Sequence, residues 1–156
     1  MPKISNRKLT ITPRLAQGEP DGAHSVIEIT YRVVFSRFER KLVGLGLKFR
    51  EIVSVFGADP PGSTTSSEPD LLRFVETLNV TPGDLDQVIE RRHVEIVDNR
   101  SLDEDPGTIS LDDDEIRCRI EIEALGIPPA VTRAFTNEVI LFETGPAQPS
   151  TQQVSD

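Results

Sequence analysis

The stretch EIRCRIEIEA, residues 115–124, decides the fold. Apolar side chains occupy every second position from Ile116 to Ala124, and charged side chains fill the positions between them. This period of two predicts a β-strand with one buried face and one solvent-facing face, because successive side chains of a strand point to opposite sides. A helix would scatter the same isoleucines around its cylinder and could not bury them together.

Similar alternation elsewhere predicts further strands. Residues 25–37 carry β-branched and aromatic side chains at alternate positions and predict a long central strand. Residues 8–15 alternate in the same way, and since Pro13 cannot donate a backbone hydrogen bond, they predict an edge strand or a bulged strand. Residues 132–142 predict the last strand of the chain.

The apolar pattern of residues 45–56 changes parity at Arg50 and Glu51. A β-bulge near Arg50 would bring both apolar sets to one side, because one extra residue reverses the alternation. Without a bulge, the strand must be buried partly on both faces. Both alternatives predict a strand, and the sequence leaves the choice between them open.

Residues 71–93 leave helix and strand open as alternatives. Residues 71–80 fit either a strand or a short helix capped by Asp70. Residues 88–97 fit a strand, and the competing interpretation is a helix over residues 84–93. We favour strands in both places because the neighbouring segments are strands.

A strand over residues 88–97 would separate its side chains into two faces. The apolar residues that share one face are Val88, Val94 and Ile96. His93 then lies on the opposite face with Arg91 and Glu95, and we expect that face to be exposed to solvent. A row of surface ion pairs is the simplest account of these three residues, and a catalytic use of His93 is the alternative.

Together these segments predict an all-β fold, a single β-sandwich of six to eight mostly antiparallel strands. We expect a flexible N-terminus over residues 1–7, the sandwich domain over residues 8–143 and a disordered tail over residues 144–156. The short strands and turns resemble immunoglobulin-type sandwiches in architecture, but the Cys–Trp–Cys framework of those domains is absent.

Composition excludes several classes of protein. The chain has 156 residues and a net charge of −9, with no Trp and one Tyr, which argues against nucleic-acid binding. No run of 18 apolar residues occurs, so we expect no membrane helix. Residues 1–7 lack the apolar region of a secretion signal, and we expect a cytoplasmic protein.

The net charge is an average over two unlike halves of the chain. Residues 1–50 carry ten basic and four acidic residues, whereas residues 51–156 carry seven and 22. If the fold keeps the halves on separate surfaces, we expect head-to-tail association that salt weakens. Interleaved strands would mix the charges and remove that effect.

The acidic segment over residues 98–115 contains eight carboxylates in 18 residues. Calcium-binding loops of β modules collect such oxygen ligands, so calcium binding through Asp112, Asp113 and Asp114 is one hypothesis. The spacing does not match an EF-hand, since position twelve counted from Asp103 is Asp114 and not Glu. We expect a solvated acidic loop, with calcium binding as the alternative.

Other chemistry-bearing residues favour a structural role. The apolar neighbours of Cys118 predict a buried, unreactive thiol. A basic cluster follows the long strand and predicts a solvated surface, with an anionic partner as the alternative. Its members are Arg37, Arg40, Lys41, Lys48 and Arg50. No nucleophile elbow, P-loop, dinucleotide-binding or HExxH motif is present.

The sequence therefore predicts a non-enzymatic β-sandwich that serves as an interaction or assembly module, a structural protein that binds another protein or itself. The edge strand over residues 8–15 is the candidate contact. We assign no catalytic, cofactor-binding or metal-ligating residue, and we expect neither nucleic acid nor membrane as a partner. The alternative function is calcium-dependent binding through residues 98–115.

Overall fold

The computed structural model describes residues 1–14, 17–18, 22–58, 70–102, 114–126 and 130–141. Within these ranges the chain forms eight strands, one α-helix and a single 3-10 turn. In chain order they are β1 (Lys3–Pro13), β2 (His24–Phe35), α1 (Arg37–Gly44), β3 (Lys48–Gly57), β4 (Leu72–Leu78), β5 (Gln87–Asp98), the 3-10 turn (Asn99–Leu102), β6 (Asp114–Leu125), β7 (Ala130–Phe135) and β8 (Val139–Leu141).

The strands form two antiparallel sheets, which confirms the predicted all-β class. One sheet has the order β1-β2-β5, and the other has the order β4-β3-β6-β7 with β8 also paired to β6. The inner faces of the two sheets share one apolar core, and the rings of Phe35 and Phe49 meet across it with centroids 4.8 Å apart. Fully buried residues come from both sheets: Leu9, Ile11, Ile27, Ile29, Ile116, Ile120 and Ile122.

Two of the strongest sequence patterns are confirmed. In β6 the residues at even positions from Ile116 to Ile122 are fully buried, and the charged residues between them are only partly buried. Strand β2 is central to its sheet, with β1 and β5 on its two sides. The strand alternatives for residues 71–80 and 88–97 are also confirmed, since these segments contain β4 and β5.

Strand β3 has no bulge, so the second alternative for residues 45–56 is the right one. Its register is unbroken against both β4 and β6, and residues 51–57 are all buried. The outer face is covered in part by aromatic and cationic contacts. The ring of Phe56 packs edge-on against Phe135 at 6.4 Å between centroids, and the guanidinium of Arg119 lies 5.7 Å from the Phe56 centroid.

The N-terminal segment differs from the expected flexible end over residues 1–7. Strand β1 begins at Lys3, and Ile4 is buried in the core. The pairing of β1 with β2 shifts between Ser5 and Lys8, where Asn6 has a φ of 51°. Asn adopts this left-handed conformation more readily than most residues. The bulge lets residues of opposite parity face the same core, which the alternation of residues 8–15 alone could not show.

The predicted last strand is two strands. Both β7 and β8 pair with β6, and residues 136–138 lie between them. The side-chain Oγ1 of Thr136 accepts a hydrogen bond from the Cys118 N–H at 2.9 Å, and the Thr136 N–H donates to the Cys118 carbonyl at 2.8 Å. A side chain therefore takes the place of a ladder partner at the point where the strand is interrupted.

Helix α1 was not predicted. Ser36 and Glu39 form a capping box at its start: the Ser36 side chain accepts from the Glu39 N–H, and the Glu39 carboxylate accepts from the Ser36 N–H at 2.8 Å. The Ser-x-x-Glu spacing of residues 36–39 was the sequence signal for this helix. Its last turn leads directly into β3.

The two oppositely charged halves of the chain are interleaved in the described residues. The three-stranded sheet combines β1 and β2 from the basic half with β5 from the acidic half. Ion pairs such as Arg32–Glu90 and Arg50–Glu123 join the halves directly. The separated surfaces needed for head-to-tail association are therefore not formed.

Two further expectations concern a membrane helix and the C-terminal tail. Among the described residues, no helix has the length and apolar character needed to cross a bilayer. Residues 144–156, the predicted tail, lie outside the described residues.

Candidate interaction surface

The two edges of the three-stranded sheet differ in how they are protected. At the β1 edge, Asn137 contacts the backbone of Leu9 twice. Its Oδ1 accepts from the Leu9 N–H at 2.8 Å, and its Nδ2 donates to the Leu9 carbonyl at 3.2 Å. Pro13 also lies on β1 and removes a donor from it. The β1 edge, which the sequence predicted as the contact, is therefore partly covered by a residue of the same chain.

The other edge, at β5, has no strand partner among the described residues. Strand β5 pairs with β2 over twelve consecutive residues without a register shift, and no strand in the described ranges pairs with its other side. The Asn99 N–H donates to the Ala23 carbonyl and continues the ladder by one residue. Because backbone groups alternate in direction along a strand, the N–H and C=O groups of even-numbered β5 residues point to the open side.

A buried polar cluster fixes β5 against the other sheet. At its centre is the carboxylate of Glu51 on β3, which is 1% exposed. It accepts hydrogen bonds from the hydroxyl of Tyr31 on β2 and from two residues of β5. Arg91 donates through Nε at 3.0 Å and through Nη2 at 2.8 Å, and the Nε2 of His93 lies at 3.1 Å.

The cluster holds Glu51 ionised. Burial alone would raise the pKa of this carboxyl, but hydrogen bonds from His93, Arg91 and Tyr31 outweigh burial and lower its pKa to about 2. Burial and the neighbouring carboxylate together raise the pKa of Tyr31, which stays protonated as a donor. Since an ionised carboxylate only accepts, the Nε2 of His93 carries a proton in this arrangement.

The cluster extends to the solvent at one end. Arg91 also donates to Glu76 on the edge strand β4, and Glu76 is about half exposed. The imidazole of His93 stacks on the ring of Phe74, also on β4, with centroids 5.0 Å apart. These contacts join both edge strands on this side of the molecule. The cluster joins the two sheets by hydrogen bonds, because its donors on β2 and β5 are directed at carboxylates on β3 and β4.

The position of His93 corrects the sequence interpretation. His93 was expected on a solvent-facing side with Arg91 and Glu95, whereas it is 6% exposed and lies between the sheets. Three apolar residues of β5 lie instead on the outer face: Val88, Val94 and Ile96 are 53%, 43% and 48% exposed, whereas Val97 is buried in the core. The faces of β5 are thus the reverse of the expected ones.

Charged residues share this outer face with the valines. Glu90 pairs with Arg32 at 2.7 Å, and Arg92 pairs with Glu28 at 2.6 Å. Both ion pairs cross from β5 to β2. Glu90 and Arg92 are themselves largely exposed, at 67% and 66% of their side chains, and are accessible from the open edge.

The basic cluster serves mainly internal contacts. The guanidinium of Arg40 donates to the carbonyls of Thr81, Pro82 and Leu85 and so holds the turn before β5. Other members form ion pairs or hydrogen bonds with acidic residues: Lys41 with Asp84, the Arg37 N–H with Asp86, and Arg50 with Glu123. Of these cations, Lys41 and Arg50 are paired with the chain's own carboxylates.

The structure tests the prediction for Cys118 but does not test calcium binding by the acidic segment. Cys118 is fully buried, and burial raises the pKa of its thiol, as expected for an unreactive cysteine. Residues 103–113, the centre of the acidic segment, lie outside the described residues, so calcium binding there stays a prediction. In the part of the chain that the structure describes, no group of three or more His, Cys, Asp or Glu residues could hold a metal ion.

Comparison with known proteins gave no matching family model, no matching curated protein and no matching solved structure.

Proposed function

We propose that this chain is a non-enzymatic interaction or assembly module, a cytoplasmic immunoglobulin-like sandwich that binds another protein or itself. The binding surface is the open edge of β5 together with its outer face. The observation that carries the proposal is the combination of an unpaired strand edge with three exposed apolar side chains on the same strand.

Edge strands of β proteins are usually protected against pairing by prolines, bulges, inward-pointing charges that twist the strand, or covering segments. Strand β1 shows three of these features: a bulge, a proline and the Asn137 contact. Strand β5 contains no proline and keeps an unbroken register with β2, and the charge of its inward-pointing Arg91 is bound by Glu51 and Glu76 of the same chain. A long, regular edge of this kind supports the addition of a strand from a partner.

The outer face adds a source of affinity. Apolar side chains that remain exposed at the centre of a surface gain free energy when a partner covers them. On β5 they lie on both sides of Glu90 and Arg92, which supply polar specificity. The buried cluster at Glu51 supports the same role from within, because it holds β5 in place while its outer edge is free to bind.

The substitution Val94→Pro tests the proposal. The N–H of Val94 points to the open side, so proline removes a donor needed by an added strand and leaves the β2–β5 ladder intact. Val94→Thr is the matched control, since it keeps both the N–H and the branched shape. Each protein is immobilised, exposed to an extract of its source organism and, separately, examined by sedimentation velocity.

We expect the wild-type chain and Val94→Thr to bind the same partner or to self-associate, and we expect Val94→Pro to lose at least tenfold in affinity. Melting temperatures of the three proteins show whether the fold is retained. A wild-type chain that stays monomeric and retains no protein beyond what Val94→Pro retains would overturn the proposal.

A further inference from the structure

We infer that the partner of β5 is a second copy of this chain, bound antiparallel along the open edge about a two-fold axis, with Glu90 opposite the second copy's Arg92. The inference rests on the interaction role proposed above and names its partner. It follows from the order of side chains along the outer face of β5.

Four consecutive outward-facing residues of β5 form a self-complementary series: Val88, Glu90, Arg92 and Val94. In the proposed register, Glu90 of each copy faces Arg92 of the other, and Val88 of each copy faces Val94 of the other. Two opposite-charge pairs and two apolar pairs therefore form from only four residues of each copy. Cross-strand pairs of both kinds stabilise antiparallel sheets.

The neighbouring registers lack this complementarity. A shift of the second copy in one direction places Glu90 opposite Glu90, and a shift in the other direction places Arg92 opposite Arg92. Like charges directly opposite each other destabilise a strand pair. Of these three registers, only the one that pairs Glu90 with Arg92 avoids like charges opposite each other and keeps the outward direction of the even-numbered backbone groups.

The existing ion pairs continue across the proposed contact. Within one copy, Arg32 already pairs with Glu90 and Glu28 already pairs with Arg92. Joining the copies produces a row of four alternating charges, in the order Arg32, Glu90, the second copy's Arg92 and the second copy's Glu28. No charge of this row would face one of the same sign.

The two-fold axis would pass beside Arg91, which brings two arginines close together. Their charges are compensated, because each guanidinium is bonded to Glu51 and Glu76 of its own chain. The axis also makes the contact isologous and closed, as in most homodimers. The two three-stranded sheets would join into one sheet of six strands, with the protected β1 strands at both outer edges.

Charge reversal tests both the partner and the register. Glu90→Arg places two arginines opposite each other twice in the dimer, and Arg92→Glu places two glutamates opposite each other twice. An equimolar mixture of the two variants restores both opposite-charge pairs in the heterodimer. Sedimentation velocity at low salt measures the dimer dissociation constant of the wild type, each variant and the mixture.

We expect each single variant to dimerise at least tenfold more weakly than the wild type, and we expect the mixture to recover to within about threefold of it. Lys8→Glu is the control, because Lys8 is exposed on the same sheet at the opposite edge and its reversal should leave dimerisation unchanged. Circular dichroism melting checks that every variant is folded.

Three results would overturn the inference: a wild-type chain that is monomeric at millimolar concentration, single variants that dimerise as tightly as the wild type, or a mixture no tighter than either variant. None of them decides the proposed function. That function fails only if the wild-type chain stays monomeric and also retains no protein beyond what Val94→Pro retains.

Discussion

Strands β5 and β6 are both twelve residues long, yet at their centres they present opposite kinds of side chain to the core, although Ile89 and Val97 of β5 also face inward. Strand β6 directs isoleucines such as Ile120 inward and charged residues outward. Strand β5 directs Arg91 and His93 inward and leaves Val94 and its apolar neighbours outside. One strand follows the usual rule for a half-buried strand, and the other reverses it.

The difference shows that alternation identifies the two faces of a strand without deciding which face is buried. An inward apolar face needs no partners, whereas an inward polar face is stable only when each group is hydrogen-bonded. Strand β5 meets that condition because Glu51 on the facing sheet accepts from both Arg91 and His93. Its apolar face is then free to serve another purpose, which is the basis of the proposed interaction.

The largest expected effect comes from placing the same charge on each strand. Ile120→Lys buries an ammonium group in the apolar core and should prevent folding, at a cost of at least about 5 kcal/mol. Ile96→Lys places the same group on the half-exposed outer face of β5 and should change stability by less than about 1 kcal/mol. Urea unfolding followed by circular dichroism measures both. Equal losses would show that the outer face of β5 is buried in the folded chain.

The second effect concerns the inward face of β5. Glu51→Gln keeps the shape of the side chain and leaves the guanidinium of Arg91 with one carboxylate, Glu76. Because the charge of a partly buried partner is then poorly compensated, we expect a loss of about 3 kcal/mol at neutral pH. Glu90→Gln is the control on the exposed side, with an expected loss below about 0.5 kcal/mol. Similar small losses in both variants would mean that the cluster does not hold the sheets together.

Acid should weaken the same cluster without any mutation. Folding lowers the pKa of Glu51 from 4.5 to about 2, so the folded state binds this proton less readily than the unfolded state. The stabilisation is therefore complete above about pH 4.5 and is lost as the pH falls towards 2. We expect the stability difference between the wild type and Glu51→Gln to shrink by about 2 kcal/mol between pH 7 and pH 3. A difference that stays constant would contradict an ionised, hydrogen-bonded Glu51.

Much of the fold follows from local patterns. The alternation of β6 and β2 was sufficient because every inward position from Ile116 to Ala124 and from Ile27 to Phe35 is uncharged, and the charged residues between them share the other parity. The sequence left open how β3 is buried, because Ile52 and Phe56 lie on its second face and are buried there. That face is covered by contacts distant in sequence. Helix α1 had a local signal in its capping box, but its eight residues are too few for a helical period to stand out.

The candidate site could be predicted only in part. Glu51 shares its parity with Phe49 and Val53, so the sequence does place a carboxyl within an apolar series. Its partners come from β2 and β5, at separations of 20 to 42 residues. No local pattern specifies which distant donors meet a buried acid. Because the sequence does not show those partners, it predicted a solvent-facing row of Arg91, His93 and Glu95 on β5.

The smallest effect should come from the opposite edge of the sheet that contains β5. Asn137→Ala removes the two hydrogen bonds that close the β1 edge at Leu9, and it leaves a buried N–H and a buried carbonyl without that partner. We expect a loss of about 2 kcal/mol, because an unpaired buried backbone group costs about 1 to 3 kcal/mol. Asn79→Ala, at an exposed position, is the matched control with no measurable loss.

Self-association of the same variant separates the two edges. If contacts such as those of Asn137 are what prevent strand addition at β1, Asn137→Ala should self-associate more strongly than the wild type in sedimentation velocity. Unchanged association would show that the bulge and Pro13 are sufficient to protect β1, and that the lack of such features is what distinguishes β5.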